Sequence, residues 1–480
     1  MTTKRPSKFD ANLIVIGAGS AGLISAYIAA TVKAKVILIE SDEMGGDCLN
    51  SGCIPSKALI AAANAAHITR DSQKYGVHCG SVRIDFREVM AHVKTAISTI
   101  APNDSMERYR KLGVQCIAGH ARLTGPWTVS VNDQNLTARS IIIATGAGPA
   151  IPPIAGLDGI NYLTSDTIWN LAELPKRLCI LGGGPIGCEL AQAFSRLGSE
   201  VHIIEMQERL MINEDPDVSD VIEHRFLNEG ITLHLSSRAE SVVNNRVTCS
   251  KNDGPFDVEF DQLLVATGRK PRTSGFGLEE LGVCINPNQS LAVNGFLQTN
   301  FKHILACGDV AGPYQFTHAA SHQAWHASVN ALFGMFKKFK VNYTYLPWTT
   351  YTHPEVAHIG LNETEATKKK IEYELTKFPL DDLDRAIAEQ RTQGFIKILT
   401  RPGSDKIIGT TIVSPSAGEI IGLVTLAMKN KIGLNGLLSL IVPYPGWNET
   451  IKRSAGVWKQ KHAPQWLMPW LKRFHSMMRN

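Results

Sequence analysis

Short apolar runs alternate with longer amphipathic stretches along most of the chain, a pattern typical of parallel α/β folds. The run Ala11–Ile16 predicts a buried strand, an alanine-rich helix follows it, and Lys35–Glu40 predicts the next strand. The same order recurs about 165 residues later, with strands predicted at Leu178–Leu181 and Glu200–Glu205. This repeat predicts two α/β units of the same construction within one chain.

A glycine-rich turn joins the first strand to the helix in each copy, reading G-A-G-S-A-G and G-G-G-P-I-G. In this pattern the glycines allow a tight turn, close approach of backbone amides to a pyrophosphate, and packing of helix on strand. Glu40 and Glu205 each lie 23 residues after the first glycine, where a carboxylate can accept a hydrogen bond from a ribose hydroxyl. Two dinucleotide sites are therefore predicted. Their candidate residues are Gly17, Gly19, Ser20, Ala21, Gly22 and Glu40 in the first, and Gly182, Gly184, Pro185, Ile186, Gly187 and Glu205 in the second.

Two further predicted strands, Ile141–Gly146 and Leu263–Gly268, end in the same A-T-G turn, and each closes one nucleotide-binding half. A later strand, His303–Val310, contains Gly308-Asp309, where a carboxylate suits a polyol chain. These turns add candidate cofactor contacts at Ala144, Thr145, Gly146, Gly268, Gly308 and Asp309.

The pattern changes near Tyr343 to alternating β-type segments, Gly394–Leu399 and Ile407–Val413, followed by a helical stretch, Ser416–Lys429. We therefore predict an α/β protein with two Rossmann-like dinucleotide-binding domains and a C-terminal α+β domain. The predicted boundaries are 1–156 for the first domain, 157–272 for the second, 273–342 for a segment that returns to the first, and 343–480 for the last.

Composition narrows the class of protein. The 480 residues are 44% apolar and 19% charged, which excludes a disordered or fibrous chain. A net charge of +5 gives no reason to expect a nucleic-acid partner. The longest apolar runs are strand-length, and the N-terminus has no apolar signal region, so a cytoplasmic location is predicted. Nine cysteines in so long a chain argue against a secreted disulfide scaffold.

Two of these cysteines, Cys48 and Cys53, lie in the sequence G-G-D-C-L-N-S-G-C-I-P-S-K. On a regular helix they would be roughly 7.5 Å apart along the axis. That separation is too large for a disulfide, whose Cα atoms lie about 4.4–6.8 Å apart. The intervening Asn50-Ser51-Gly52 can form a loop that brings the sulfurs together. The residues alone allow two interpretations: the cysteines form a redox pair, or they are two structural cysteines.

This cysteine motif, the doubled glycine turn, both A-T-G strands and the C-G-D strand resemble the class I pyridine nucleotide–disulfide oxidoreductases, the flavoprotein disulfide reductases. The resemblance runs from about Asn12 to Lys452. It implies an enzyme with FAD on the first glycine turn and a nicotinamide nucleotide on the second. It also implies a homodimer built by the C-terminal domain, with no resident metal.

The resemblance further implies that NAD(P)H reduces the flavin, which passes two electrons to a Cys48–Cys53 disulfide. Cys53 would be the charge-transfer thiolate beside the flavin and Cys48 the interchange thiol. Lys57 would lie by the flavin ring and pair with Glu189. Gly46, His318 and Ala319 join the implied FAD contacts, although a helix-capping or packing role suits His318 equally well.

The choice between nicotinamide nucleotides depends on Glu205. A carboxylate there favours NADH, because it accepts from a ribose 2′-hydroxyl and repels a 2′-phosphate. Arg209 lies four positions further on and weakens this argument, since arginine accommodates a 2′-phosphate.

The chain departs from the family near its C-terminus. Where disulfide reductases have H-P-T-x-S-E, this chain reads Tyr444-Pro445-Gly446-Trp447-Asn448-Glu449. A phenol, whose pKa is normally about 10, is a poor base at neutral pH. Tyrosine at this position resembles the mercuric-reductase-like branch, in which it would be catalytic together with Glu449. The alternative is a packed interface aromatic.

The branch resemblance is incomplete, because the last cysteine is Cys307 and no C-terminal cysteine pair can deliver a metal. The acceptor is therefore predicted only as a metal ion, a disulfide or another small electrophile. One alternative is direct flavin-to-quinone or diaphorase transfer that bypasses the thiols. Another is a non-catalytic, redox-sensing flavoprotein. The Asp384-Arg385 pair also resembles this branch, but the sequence gives it no role.

The chain ends in a basic segment, with seven Lys or Arg and no acidic residue after Glu449. From Trp466 onward the apolar positions share one predicted helical face, with Lys472 and Arg479 opposite. The apolar residues are Trp466, Leu467, Trp470, Leu471, Phe474, Met477 and Met478. Two placements are open, a helix docked on the dimer and peripheral contact with an anionic membrane.

Overall fold

The computed structural model describes residues 5–251 and 254–479. The chain forms two compact units. The first contains Met1–Leu210 and Phe226–Asn342, and the second contains Met211–Arg225 and Tyr343–Asn480. Among the described residues, no helix combines the length and apolar character that a membrane crossing requires.

The elements follow one another in the order that the apolar pattern predicts. The strands are β1 Ala11–Ile16, β2 Val36–Glu40, β3 Gln115–Ala118, β4 Arg122–Gly125, β5 Thr128–Val131, β6 Gln134–Ile143, β7 Ala147–Pro149, β8 Leu163–Thr164, β9 Arg177–Leu181, β10 Glu200–Ile204, β11 Thr232–His234, β12 Arg238–Val243, β13 Arg246–Lys251, β14 Gly254–Glu259, β15 Gln262–Val265, β16 Arg269–Pro271, β17 Ile304–Ala306, β18 Pro347–Thr350, β19 Glu355–Gly360, β20 Glu374–Pro379, β21 Phe395–Thr400 and β22 Ile407–Ser414.

The α-helices are α1 Ser20–Thr31, α2 Gly46–Asn50, α3 Cys53–Asp71, α4 Phe86–Ile100, α5 Met106–Lys111, α6 Pro185–Leu197, α7 Pro216–Asn228, α8 Leu278–Leu281, α9 Thr317–Phe333, α10 Glu363–Lys368, α11 Asp384–Ala388, α12 Ala417–Lys429, α13 Leu434–Leu438, α14 Glu449–Lys461 and α15 Met468–Met477. Short 3-10 turns lie at Ser72–Tyr75, Ala101–Asp104, Leu157–Gly159, Ile168–Asn170, Leu380–Asp382 and Gln465–Leu467.

The first unit contains two parallel sheets. In one, the order is β3-β2-β1-β6, with β17 pairing β6 and a β4–β5 hairpin extending it. Alternate residues of its central strands face opposite layers. Leu13 and Val15 pack with α1 and α9, whereas Ile14 and Ile16 belong to a second cluster on the other face. Burial on both faces explains why β1 and β2 are almost continuously apolar.

The other parallel sheet has the order β11-β10-β9-β15-β8, so β10, β9 and β15 repeat the arrangement of β2, β1 and β6. An antiparallel sheet, β12-β13-β14, shares a core with it through residues such as Val247 and Phe260. Strands β7 and β16 pair with each other as a separate two-stranded ribbon. The repeat inferred from the glycine turns is thus a repeat of sheet topology.

The second unit is built on an antiparallel sheet, β18-β19-β22-β21-β20, whose core includes residues of α12 and α14. The Met211–Arg225 segment joins it through a buried charge network. The Lys397 ammonium is fully buried and lies 2.6 Å from Asp215, 2.7 Å from Asp217 and 2.8 Å from Glu363. Three carboxylates compensate the desolvation of this single ammonium group.

The α/β fold with a C-terminal α+β domain is confirmed. Strands β6 and β15 end at Ile143 and Val265, just before the predicted turns, whereas β17 ends at Ala306, short of the predicted strand end at Gly308-Asp309. In the first two cases the A-T-G residues leave the sheet and form the turn beside the glycines. The second unit begins at Tyr343, but it also takes Met211–Arg225, which the sequence had placed in the second nucleotide-binding domain. The divisions inside the first unit stay predictions.

Candidate redox site

The first glycine turn is closed by contacts that exclude side chains. Gly17 has a φ of +97°, and a Cβ there would lie 2.4 Å from the Ala144 carbonyl oxygen. A Cβ on Gly22 would lie 1.8 Å from the Gly17 carbonyl oxygen. In front of Gly19 there is room, because a Cβ would meet nothing nearer than Gly46 Cα at 3.9 Å. Helix α1 begins directly after Gly19 without a side-chain cap, so its backbone amides suit a pyrophosphate.

Glu40 closes this turn from the end of β2. Its carboxylate accepts from Ala18 N at 2.5 Å, Ser41 N at 2.8 Å and Asp42 N at 2.9 Å, and the residue is only 8% exposed. Each carboxylate oxygen has two acceptor positions, so this network leaves one for a ribose hydroxyl. The glycines, the helix terminus and Glu40 together fit an adenine dinucleotide such as FAD.

The second turn repeats the main features of this geometry. A Cβ on Gly182 would lie 2.5 Å from the Ala266 carbonyl oxygen, and one on Gly187 would lie 2.1 Å from that of Gly182. The Glu205 carboxylate accepts from Gly183 N at 2.6 Å and from Gln207 N at 2.8 Å. In front of Gly184 nothing lies within 4 Å of an added Cβ. The second turn therefore fits a dinucleotide on the same physical grounds.

The remaining predicted cofactor residues lie around the two turns. Thr145 donates to the Arg272 carbonyl at 2.7 Å, and the Gly308 amide donates to Gln323 Oε1 at 2.7 Å. His318 is exposed at the second position of α9 and stacks on Phe316. Outside the two glycine-rich turns, backbone φ is positive at the predicted glycines Gly46, Gly146, Gly268 and Gly308, while Ala21 and Ala319 are buried.

The two cysteines lie on either side of a break between helices. Helix α2 ends at Asn50, whose side-chain amide donates to the Met44 carbonyl at 3.1 Å and the Gly46 carbonyl at 3.0 Å. A Cβ on Gly52 would lie 2.8 Å from the Asp47 carbonyl oxygen, so the turn requires glycine. Cys53 is the first residue of α3. Both side chains are partly exposed.

The environment polarises this thiol pair. A hydrogen bond from Cys48 lowers the pKa of Cys53 to about 6, with help from Thr317 and Lys57 and against the effect of burial. The same bond to Cys53, together with burial, raises the pKa of Cys48. The Cys53 sulfur lies 3.2 Å from Thr317 Oγ1, and its place at a helix N-terminus also favours the thiolate. The surroundings thus favour ionisation of Cys53 over that of Cys48.

Lys57 and Glu189, predicted to pair, lie in contact. Lys57 stands one turn beyond Cys53 on α3, and its Nζ donates to Glu189 Oε2 at 2.8 Å. The Glu189 side chain is 9% exposed and the Lys57 side chain 38%. The carboxylate on α6 thereby fixes a cation close to the thiolate.

A charged cluster lies beside the cysteines and was not predicted from the sequence. The Arg269 guanidinium donates to Asp47, the residue before Cys48, and its Nε lies 3.6 Å from Asp309 Oδ2. Arg272 Nη1 lies 3.6 Å from Asp47 Oδ1. Burial raises the pKa of the Asp309 carboxyl, and Arg269 acts in the opposite direction. The cluster ties α2 to strand β16.

Trp169 is a second missed residue. It is 7% exposed, and its indole N–H donates to the carbonyls of Ser51 at 2.8 Å and Ser165 at 2.7 Å. Ser51 belongs to the turn between the cysteines. Trp169 therefore anchors the backbone of that turn.

In the second unit, Tyr444 forms a pair that the sequence did not suggest. Its hydroxyl donates to Asp384 Oδ2 at 2.8 Å, and Arg453 Nη2 lies 3.8 Å from Asp384 Oδ1. This hydrogen bond raises the pKa of Tyr444 above its ordinary value. The Glu449 carboxylate instead accepts from the Gly446 amide at 3.4 Å. The phenol is thus held as a hydrogen-bond donor, while 69% of the residue is exposed within this unit.

Two dinucleotide sites and a polarised cysteine pair define a nicotinamide-linked flavoprotein that works through a dithiol. The family model described as pyridine nucleotide-disulphide oxidoreductase matches residues 11–324, and the model of its dimerisation domain matches residues 346–455. The chain belongs to the pyridine nucleotide–disulfide oxidoreductase family. It is an FAD-containing enzyme, and the dimerisation-domain match supports a homodimer.

Relatives of two activities are similar to this chain. A mercuric reductase of Lysinibacillus sphaericus is 35% identical over 93% of this chain and 83% of its own length. A dihydrolipoyl dehydrogenase of Bacillus subtilis is 33% identical over 92% of this chain and 96% of its own. Among solved structures, LpdA from Mycobacterium tuberculosis has a TM-score of 0.84 and 29% identity, covering 93% of this chain and 99% of LpdA.

Proposed function

We propose that this enzyme uses NADH to reduce acceptors that react at the Cys48 thiol without a neutral-pH proton shuttle: thiophilic metal ions and small electrophiles. The observation that carries the proposal is the hydrogen bond from Tyr444 to Asp384 at 2.8 Å. Tyr444 occupies the position at which the family's disulfide reductases have a histidine base.

Bound FAD supplies the chemistry that links a two-electron hydride donor to a dithiol. The chain's own residues prepare the dithiol. Cys53 is held as a thiolate by Cys48, Thr317 and Lys57, and the Glu189 carboxylate positions Lys57. When the Cys48 and Cys53 sulfurs form a disulfide, two electrons pass from the pair to the acceptor and the Cys48 proton passes to solvent. Nicotinamide oxidation then restores the dithiol for the next turnover.

The acceptor class follows from what Tyr444 cannot do. When a thiolate attacks an alkyl disulfide, the departing thiolate has a high pKa and leaves slowly unless a nearby acid protonates it. A phenol whose pKa is raised by Asp384 does not exchange protons readily at neutral pH. A metal ion such as Hg(II) needs only thiolate ligands and electrons. Disulfides with low-pKa leaving thiols are the remaining suitable substrates.

Among the metal ions, direct access to Cys48 is required. Cys307 lies nearest the C-terminal end of the sequence among the cysteines and is fully buried, so it cannot itself pass a metal ion to Cys48. Cys48 is partly exposed in the described structure. We therefore expect small hydrated or thiol-complexed ions to react at Cys48 itself.

The nicotinamide preference rests on Glu205 and Arg209. Backbone amides fix the Glu205 carboxylate, and Arg209 Nη1 pairs with Glu208 Oε1 at 2.7 Å. That pairing reduces the positive charge available to a 2′-phosphate and supports NADH. Glu205→Ala should lower the ratio of kcat/KM for NADH to kcat/KM for NADPH by about tenfold, whereas Glu200→Ala, at the start of the preceding strand, should not change this ratio. A wild-type preference for NADPH overturns this assignment.

The test of the acceptor class is anaerobic reduction by NADH followed by a panel of oxidants. We expect Hg(II) and an aromatic disulfide to discharge the reduced enzyme rapidly and alkyl disulfides to do so slowly. Rapid turnover of alkyl disulfides contradicts the proposal. Quinone turnover that survives Cys48→Ser supports the thiol-independent diaphorase alternative instead. An enzyme that NADH reduces but no oxidant turns over supports the redox-sensing alternative.

A further inference from the structure

The C-terminal segment lies outside the function described so far. The dimerisation-domain model ends at residue 455, whereas the described chain continues to residue 479. After α14 ends at Lys461, a 3-10 turn at Gln465–Leu467 leads into α15, Met468–Met477. This extension, residues 462–479, is here called the tail.

The tail exposes large apolar side chains. Trp466 is 75% exposed, Trp470 70%, Phe474 50% and Met477 69%. Their spacing of three and four residues places them on one helical face. Within α15 no residue is buried. This degree of exposure for two tryptophans and a phenylalanine marks an interaction surface rather than part of a core.

Basic residues accompany this face. Lys472 and Arg473 belong to α15, Arg479 follows it, and Lys459 and Lys461 end α14. After Glu449 the sequence has seven Lys or Arg and no acidic residue. Three of these seven, Lys472, Arg473 and Arg479, lie in the tail itself, and the other four lie in α14. The charge fits an anionic partner and repels a second copy of itself.

We propose that the tail docks the enzyme on an anionic phospholipid bilayer, with α15 lying in the headgroup region. Trp466, Trp470 and Phe474 would enter the interface, while Lys472 and Arg473 contact lipid phosphates. A ten-residue helix is about 15 Å long, roughly half the hydrocarbon thickness, so it lies on a bilayer and does not cross it. A homodimer brings two tails, which strengthens binding through avidity.

The test is flotation of the FAD-loaded, full-length enzyme with vesicles. A comparison of phosphatidylcholine vesicles with and without phosphatidylglycerol distinguishes charge-dependent docking from nonspecific adsorption. We expect the wild type to float with the anionic vesicles only and to be released by high salt. The double variants Trp470→Ala/Phe474→Ala and Lys472→Glu/Arg473→Glu should each lower the bound fraction about tenfold.

Matched controls come from other exposed positions. Phe336→Ala removes an aromatic ring that is 82% exposed, and Lys368→Glu/Lys370→Glu makes the same charge change on another surface. Both should float like the wild type, and all variants should keep NADH turnover with soluble acceptors. Equal flotation of wild type and tail variants overturns the proposal. So does a wild type that stays unbound while the tail variants lose the dimer in size-exclusion chromatography, because the tail then packs on the second subunit.

Discussion

Cys53 and Tyr444 are both polarised by a hydrogen bond, but in opposite directions. At Cys53 the neighbours are donors and a cation, and the pKa falls to about 6. At Tyr444 the neighbour is the Asp384 carboxylate, and the pKa rises. One region therefore provides a thiolate at neutral pH, while the other holds on to its proton. On this difference rests the proposed acceptor class, which needs electron transfer through sulfur but no proton transfer to a leaving group.

The largest expected effect comes from removing the thiol that meets the acceptor. Cys48→Ser should lower thiol-dependent turnover with Hg(II) or an aromatic disulfide by about a thousandfold or more, because a serine hydroxyl cannot take part in the redox cycle. The measurement is steady-state NADH oxidation with each acceptor. Cys284→Ser, at an exposed cysteine elsewhere, is the control and should match the wild type. Activity retained in Cys48→Ser would place the reaction outside the thiols.

The next largest effect is expected from removing Lys57, the cation close to Cys53. Lys57→Ala should slow flavin reduction by NADH roughly tenfold to a hundredfold, because a fixed positive charge beside the redox centre is lost. Glu189→Gln should have a smaller effect in the same direction, since it only loosens the position of Lys57. Stopped-flow absorbance gives the rate. The control is Lys111→Ala, an exposed ion pair with Glu107, and reduction rates unchanged in Lys57→Ala would contradict the role.

The glycine turns show what could be predicted from the sequence. The contact between Glu40 and Ala18 spans 22 positions and is repeated by Glu205 and Gly183. Both partners of each contact belong to the same short motif, so the contact can be predicted from that motif alone. Strands β1 and β2 were predictable for a similar reason, because burial on both faces makes their sequences apolar.

Contacts over long sequence distances could not be predicted in this way. Cys53 meets Thr317 across 264 positions, Asp47 meets Arg269 across 222, and Ser51 meets Trp169 across 118. Tyr444 and Asp384 are 60 positions apart. Such pairs depend on how sheets and helices pack. The hydrophobic periodicity of one segment therefore does not indicate which distant residue its side chains will contact. Thr317 stands directly before His318 in the chain, but its hydroxyl carries no signal until the fold places it beside sulfur.

The proposed role of Tyr444 can be tested by a substitution that should increase activity. Tyr444→His introduces a side chain whose pKa, normally about 6.5, lies close to neutral pH. We expect turnover of an alkyl disulfide to rise about tenfold, which is less than the roughly hundredfold or more that a well-positioned general acid or base contributes. Turnover of Hg(II) should change little. Tyr444→Phe is the matched control, because it removes the Asp384 hydrogen bond without adding a titrating group, and it should leave alkyl disulfides poor substrates.

The smallest effect concerns the pKa of Cys53 itself. The thiolate should be present above a pH of about 6 and lost as the pH falls through that value, because the folded protein lowers the pKa. Thr317→Val removes a hydrogen bond that favours the thiolate and should raise the pKa by up to about one unit. The thiolate–flavin charge-transfer absorbance, followed against pH in the NADH-reduced enzyme, measures it. Ser321→Ala, one turn further along α9, is the control. A pKa that does not move in Thr317→Val would leave Cys48 and Lys57 as the groups that hold Cys53 ionised.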